Sequence, residues 1–171
     1  GDPGVFAMAS AIFEVVDKKN ISRDDLPIVV LPGITALLAA SARLGAPIGH
    51  DFCVINLSDN LKSWDILKSR VIAAAKADFV IAFYNPRSKS RKNQLSEIYD
   101  VLRKNCKSDR IVIYANSVST ESEAIFETTL SEADASSVSM KTLVIIGSSS
   151  TKKIRNTRYI YTPRYSGVEK N

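Results

Sequence analysis

The sequence predicts an α/β protein made of two α/β units, the first of them truncated. Apolar runs of strand length alternate with amphipathic stretches of helical spacing between residues 28 and 117. Short turns join them, as is typical of parallel strands linked by right-handed crossovers. After residue 120 the composition becomes strand-rich without a long helix, which indicates added antiparallel strands. We therefore expect a mixed, mostly parallel sheet in the second unit.

The first ten residues, GDPGVFAMAS, predict the start of a buried helix. Asp2 is a good N-cap, and Pro3 would occupy the first helical position. Apolar residues then follow on two faces of the helix, namely Val5, Met8, Ala9, Ile12, Val15 and Val16 on one and Phe6 and Phe13 on the other. Such a helix needs a sheet to pack against, and no strand precedes it here. We therefore expect the chain to lack the N-terminal part of its first unit.

The rest of the first unit is predicted as strand, tight turn and helix. Ile28 to Leu31 form a short apolar run suited to a buried strand. Thr35 can cap a helix that runs to about Leu44 and ends at Gly45. Residues 45–48 then form the linker, so that residues 1–46 belong to the first domain and residues 47–171 to the second.

The second unit continues the alternation. Strands are predicted near 52–57, 78–85 and 110–117, and helices over 63–77 and 91–105. Strand-like composition returns in 121–133, 141–150 and 157–164.

Composition narrows the class of protein and the nature of its partner. The chain of 171 residues is 45% apolar and 24% charged, with no apolar run of transmembrane length and no secretory signal. Its two cysteines lack a metal-ligand spacing, which favours reduced thiols in the cytoplasm. The net charge of +5 favours an acidic partner, which leaves nucleic acid, phosphate and a polycarboxylate open.

Three turns follow predicted strands directly, at the strand ends where open α/β sheets bind ligands. They are PGITA at 32–36, YNPRSKSRK at 84–92 and ANSVSTES at 115–122, and the opening GDPGV is a fourth candidate. Small residues in such turns let the backbone approach a ligand closely. None of the turns matches the dinucleotide-binding fingerprint or the P-loop.

The order of these motifs resembles the tetrapyrrole methylase family. GDPGVFAMA, LPGITA, GHDFCVINLSD, FYNPRSKSR and a strand ending in ANS follow one another from Gly1 to about Arg164. GHDFCVINLSD with FYNPRSKSR resembles the branch that methylates C-17 of precorrin-3B, or of its cobalt form, with ring contraction to precorrin-4 in cobalamin biosynthesis. Family members carry a glycine-rich turn upstream that this sequence does not contain.

The resemblance implies a two-domain enzyme that binds S-adenosyl-L-methionine in the cleft between its domains. It also implies a homodimer with a precorrin as substrate. With the cysteine usage and the apolar pattern described above, we expect a cytoplasmic protein with neither nucleic acid nor membrane as partner. A sulfonium methyl group is electrophilic by itself, so no metal is expected. Carried over by motif, the cofactor contacts are Asp2, Val5, Thr35, Ala36, Asn85 and Ser117, the last in the position of a family glycine.

Two further groups of residues are candidates for contacts with the substrate. Ring contraction should be helped by a base near the hydroxyl of the departing carbon, and the candidates are His50, Asp51 and Asp59. Arg87, Lys89 and Arg91 are expected to bind the carboxylates of the precorrin, because guanidinium groups bind carboxylates in a fork.

Two alternatives stay open at this point. One is an RNA methyltransferase of the same superfamily, which the basic charge would suit. Readers of RNA usually add exposed aromatic residues for base stacking, however, and the basic loop has only Tyr84 before it. The other is a non-catalytic α/β module that binds an anion through the basic loop.

Overall fold

The computed structural model describes residues 1–22, 27–88 and 91–164. In chain order the helices are α1 (Met8–Lys18), α2 (Ala36–Leu44), α3 (Trp64–Lys76) and α4 (Gln94–Asn105). The strands are β1 (Gly45–Ala46), β2 (Phe52–Asn56), β3 (Val80–Tyr84), β4 (Ile111–Asn116), β5 (Ala124–Thr129), β6 (Thr142–Ile146), β7 (Lys152–Lys153) and β8 (Ile160–Tyr161). The predicted α/β class is confirmed.

A five-stranded sheet in the order β2-β3-β6-β4-β5 forms the centre of the fold. It is mixed, as predicted, and β2, β3 and β4 all run in the same direction. The expectation of a mostly parallel sheet is wrong for the pairings, because only β2 and β3 pair in parallel while the other three pairings are antiparallel. The reason is that β6 inserts between β3 and β4, which separates two strands that successive crossovers would place side by side.

Helices cover both faces of this sheet because its central strands are apolar on both sides. Ile81 and Phe83 of β3 face a core that also contains Leu67 of α3 and Leu102 of α4. The alternate residues of β3 face a second core, to which α2 contributes Leu37, Ala40 and Leu44. The result is a three-layer α/β/α arrangement around β3, β6 and β4.

The predicted linker forms part of a second, small sheet in the order β1-β8-β7. Gly45 ends α2 with a φ of 114°, in the region that glycine adopts without steric strain. Gly45 and Ala46 then pair in parallel with Ile160 and Tyr161. The domain boundary between residues 46 and 47 stays a prediction.

Two expectations for the first unit are wrong. Residues 28–31 form no strand, since no neighbouring strand in the described part of the chain supplies hydrogen bonds, and Val29 and Leu31 are exposed. Helix α1 begins at Met8 with Ala7 rather than Asp2 at its N-cap, and among its described residues only Ala9 is buried.

In the described ranges, no helix is both long and apolar enough to cross a membrane.

Candidate functional site

The candidate site lies at the edge of the sheet where β2, β3 and β4 end. Asn56 and Tyr84 are paired neighbours at the ends of β2 and β3, and Asn116 ends β4 two strands further along. Carboxyl ends of parallel strands are the usual ligand-binding edge of an open α/β sheet. The predicted turns after β3 and β4 therefore lie at this edge.

The GDPGV and PGITA turns are joined through Asp2. Its carboxylate accepts a hydrogen bond from the Gly4 N–H at 2.8 Å and another from the Gly33 N–H at 2.9 Å. These backbone N–H groups, that of Gly33 foremost, hold the pKa of Asp2 below the ordinary value for an aspartate. Asp2 thus connects two turns that are 31 residues apart in sequence.

Tyr84 connects the PGITA turn to the end of β3. Its hydroxyl accepts a hydrogen bond from the Leu37 N–H at 2.9 Å and lies 2.5 Å from Thr35 Oγ1. Thr35 is the N-cap of α2, as predicted, but its own side chain makes no capping hydrogen bond. The tyrosine hydroxyl caps the helix instead, and its ring lies 5.4 Å from that of Phe6 in the opening turn.

A second set of contacts fixes the loops that follow β2 and β3. Asn56 Oδ1 accepts hydrogen bonds from Asn85 Nδ2 at 3.1 Å and from the Ser58 N–H at 2.9 Å. The guanidinium of Arg91 donates to the carbonyl oxygens of Leu57 and Asn85, both at 3.1 Å. The two loops are therefore held to each other as well as to their strands.

Three of the turns at this edge contain a residue other than glycine in the left-handed region. Phe6, Asn85 and Ser117 have φ values of 52°, 51° and 47°. Such conformations cost about 1–3 kcal/mol each and concentrate at functional sites. The value for Ser117 agrees with its place at a position where the family resemblance expects glycine.

We expect Ser117→Gly to be tolerated and Ser117→Val to be destabilising. A β-branched residue at this φ should lower the free energy of unfolding by about 1–3 kcal/mol, whereas glycine adopts it without strain. Thermal unfolding of both variants measures the difference. Equal stability of the two would contradict a left-handed conformation at Ser117.

Beside these contacts lies a cavity of about 450 Å³. It is lined by Phe6, Asn56, Ser58, Asn60, Leu61 and Lys62. Sequence reasoning gave no role to Asn56, Lys62 or the hydroxyl of Tyr84. A polar residue at the end of an apolar strand was the available signal for Asn56, while Lys62 and the partners of Tyr84 had none.

The predicted cofactor residues lie in the turns just described. Thr35 and Ala36 begin α2, Asn85 follows β3, and Ser117 follows β4. Val5 is half-buried and donates its N–H to the carbonyl of Asp2 at 3.3 Å. Their contact with a cofactor stays a prediction.

The three predicted acid–base residues are not brought together. His50 and Asp51 precede β2, and the Asp51 carbonyl accepts from the N–H of Val80, the first residue of β3. They therefore lie at the opposite edge of the sheet from Asn56, about 16 Å away along a five-residue strand. Asp59 does lie at the site, where its carboxylate accepts from Gln94 Nε2 at 2.7 Å and lies 3.9 Å from Arg91 Nε.

From this placement we expect His50→Gln to keep turnover close to that of the unsubstituted protein. A residue that moves a proton in the reaction would instead lose about 10²–10⁴-fold, because an amide cannot take up the proton. Steady-state kinetics of the variant distinguish the two results. A loss of turnover in that larger range would indicate that His50 moves a proton in the reaction.

The basic loop has a structural role in the described residues. Arg87 donates to the carbonyl oxygens of Ala135 and Ser136, at 2.7 and 2.8 Å, and so holds the segment before β6. Lys89 lies outside the described residues. Binding of substrate carboxylates by Arg87, Lys89 and Arg91 stays a prediction. In residues 1–22, 27–88 and 91–164, no group of His, Cys, Asp or Glu side chains is arranged to hold a metal ion.

The fold, with several turns at the carboxyl ends of β2, β3 and β4, is that of an open α/β protein with a candidate ligand site. The sequence of residues 1–134 matches the family model of the Tetrapyrrole (Corrin/Porphyrin) Methylases. The chain belongs to this family, and the predicted family membership is confirmed.

Among its relatives is the precorrin-3B C(17)-methyltransferase of a Sinorhizobium species, which is 46% identical over 168 residues, or 96% of this chain and 66% of the relative. The probable cobalt-factor III C(17)-methyltransferase of Salmonella typhimurium is 40% identical, over 88% of this chain and 61% of its own length. The chain thus spans just under two thirds of the length of these relatives.

The crystal structure of the methyltransferase CobJ superposes with a TM-score of 0.88 at 46% identity, over 95% of this chain and 67% of that one. A uroporphyrin-III C-methyl transferase from Thermus thermophilus, complexed with S-adenyl homocysteine, superposes with a TM-score of 0.60 at 19% identity, covering 86% of this chain and 62% of the other. The second likeness supports the fold alone.

Proposed function

We propose that the protein transfers a methyl group from S-adenosyl-L-methionine to C-17 of precorrin-3B, or of its cobalt form, in cobalamin biosynthesis. The observation that carries this proposal is the 46% identity to a precorrin-3B C(17)-methyltransferase across 96% of the chain. The convergence of the GDPGV, PGITA and YNP turns on one sheet edge supports it independently. Relatives named for the precorrin and for cobalt-factor III both support the substrate class, so the proposal covers both forms.

The arrangement of the turns suits a cofactor with a charged amino-acid end and an aromatic base. Hydrogen bonds between Asp2 and Gly33 and between Thr35 and Tyr84 fix two of the turns, which leaves their outward surface preorganised for a ligand. The ring of Phe6 is half exposed beside them and can pack against an apolar or aromatic group. The sulfonium ion of the cofactor, when bound, supplies an electrophilic methyl group.

In this proposal the protein aligns donor and acceptor and excludes water. Methyl transfer breaks the sulfur–methyl bond and forms a carbon–carbon bond at C-17, so a linear arrangement of the three atoms is the main requirement. Ring contraction to precorrin-4 accompanies the transfer. Of the predicted acid–base residues, Asp59 lies beside this site, where a hydrogen bond from Gln94 and an ion pair with Arg91 orient its carboxylate.

We also propose a homodimer in the cytoplasm, as the family resemblance implies, with a small-molecule substrate rather than nucleic acid. The free thiols of Cys53 and Cys106 suit a reducing compartment. Sedimentation equilibrium measures the oligomeric state, and a mass equal to that of one chain at all concentrations would contradict the dimer.

Calorimetric titration and a product assay test the proposed activity. We expect binding of S-adenosylhomocysteine, and transfer of one methyl group from S-adenosyl-L-methionine to precorrin-3B or cobalt-factor III, detected by mass spectrometry of the tetrapyrrole. Transfer to ribosomal RNA fragments but not to the tetrapyrrole would identify the RNA methyltransferase instead. Binding of simple anions without cofactor binding would favour a non-catalytic module.

A further inference from the structure

Lys62 is the cationic residue that lines the 450 Å³ cavity. It lies on the loop of residues 57–63, between the end of β2 and the start of α3. The base of this loop is anchored, because Leu57 is fully buried and its N–H donates to the Tyr84 carbonyl at 2.9 Å. Its tip, residues 60–62, forms one wall of the cavity.

Three described acidic residues on or beside this loop have other partners. Asp59 accepts from Gln94, Asp65 pairs with Lys68 at 2.9 Å, and Glu97 accepts from Trp64 Nε1 at 2.8 Å. Within the described ranges, Lys62 itself has no ion pair or hydrogen bond. Its positive charge is therefore not balanced locally.

Burial adds to this imbalance. Desolvation, and secondly the Arg70 guanidinium, lower the pKa of Lys62 below the ordinary value for lysine. Arg70 likewise has no ion-pair partner in the part of the chain that the structure describes. An anion bound at the cavity would offset the energetic cost of desolvating Lys62 and the repulsion between the two cations.

Arg87 and Arg91, which the sequence predicts to bind carboxylates, differ from Lys62 in their hydrogen bonding. Arg87 and Arg91 each donate two hydrogen bonds to backbone carbonyl oxygens, which gives both a structural use. Lys62 makes no hydrogen bond of this kind to the residues that the structure describes. Next to it, Leu61 is 97% exposed, and with Phe6 it gives the same cavity an apolar rim.

We propose that Lys62 binds a carboxylate arm of the substrate while Phe6 and Leu61 contact the apolar face of its ring. This inference rests on the proposed function, because a tetrapyrrole substrate combines an apolar macrocycle with carboxylate arms. Lys62 is then a residue that determines substrate affinity without contacting the reacting atoms. The polar lining of Asn56, Ser58 and Asn60 offers further hydrogen bonds to the same arm.

Uroporphyrin, a macrocycle with carboxylate arms, is a suitable probe, because Trp64 is the only tryptophan of the chain and lies two residues after Lys62. Quenching of its fluorescence reports binding. We expect Lys62→Gln to raise the Kd for uroporphyrin about tenfold and Lys62→Arg to keep it within about threefold, since arginine preserves the charge. The matched control is Lys68→Gln on the adjoining helix, whose lysine is already paired with Asp65.

Two further measurements separate substrate binding from a structural effect. The affinity for S-adenosylhomocysteine should be the same in all four proteins, and Lys62→Gln should raise KM for precorrin-3B while leaving kcat unchanged. Added salt should weaken uroporphyrin binding more in the unsubstituted protein than in Lys62→Gln.

The inference is overturned if Lys62→Gln binds uroporphyrin as tightly as the unsubstituted protein, or if Lys68→Gln loses as much affinity. In both cases the proposed function stands, because the unsubstituted protein still binds the macrocycle. If the unsubstituted protein binds neither uroporphyrin nor precorrin-3B, the proposed function fails and this inference fails with it.

Discussion

Gly33→Ala is expected to weaken the binding of S-adenosylhomocysteine about 5- to 150-fold, which corresponds to the 1–3 kcal/mol that an overpacked contact typically costs. A Cβ atom at this position would clash with the Gly1 carbonyl oxygen and lie 3.3 Å from the Asp2 Cα. The neighbouring backbone cannot yield easily, because the carboxylate of Asp2 is bonded to the N–H groups of Gly4 and Gly33. The methyl group therefore separates the GDPGV and PGITA turns.

Calorimetric titration of the variant measures this loss. The matched control is Ile34→Ala, which changes the next residue of the same turn at an exposed position and should keep the affinity. Circular dichroism verifies that both variants are folded. An unchanged Kd in folded Gly33→Ala would show that the cofactor does not depend on the packing of these two turns.

Tyr84→Phe is expected to weaken cofactor binding by a similar factor, about 5- to 150-fold. The substitution keeps the ring contact with Phe6 but removes the hydroxyl that accepts from the Leu37 N–H and contacts Thr35 Oγ1. A donor left without its partner costs about 1–3 kcal/mol, and the start of α2 is then free to move. The PGITA turn should lose its fixed position relative to β3.

Tyr159→Phe serves as the control, because Tyr159 is exposed and lies outside the site. A double-mutant cycle with Thr35→Val isolates the contact of the two hydroxyl groups. We expect the combined loss of affinity to be smaller than the sum of the single losses, since each substitution removes the same contact. Strict additivity would mean that Thr35 and Tyr84 act separately.

The elements with strong local patterns were predicted well from the sequence. The helices α2, α3 and α4 and the strands β2, β3 and β4 lie within the predicted ranges, because apolar periodicity and capping residues act over a few positions. The turns after β3 and β4 followed from the same reasoning, since each directly follows a strand of the central sheet. The family resemblance rested on those turns and on their order.

The apolar residues 28–31 show that a local pattern alone does not decide whether a strand forms. Its composition is typical of a buried strand, but a strand exists only where a neighbour pairs with it, and residues 28–31 have none in the described structure. Likewise, the apolar pattern of β6 predicts a buried strand but does not indicate which strands it pairs with. Its insertion between β3 and β4 depends on contacts with residues about 30 and 60 positions away.

The residues of the candidate site also fall into two groups, those that local motifs indicate and those that only the tertiary structure brings together. Asp2, Thr35, Asn85 and Ser117 were selected from sequence because their motifs are contiguous, and their contacts with a cofactor stay predictions, as does a role for His50, which precedes β2. The capping role of Tyr84, the Asn56–Asn85 contact and the place of Lys62 in the cavity wall emerge only in three dimensions. Motifs and periodicity are properties of neighbouring residues, while hydrogen-bond partners and charge balance depend on residues that folding brings together from distant parts of the chain.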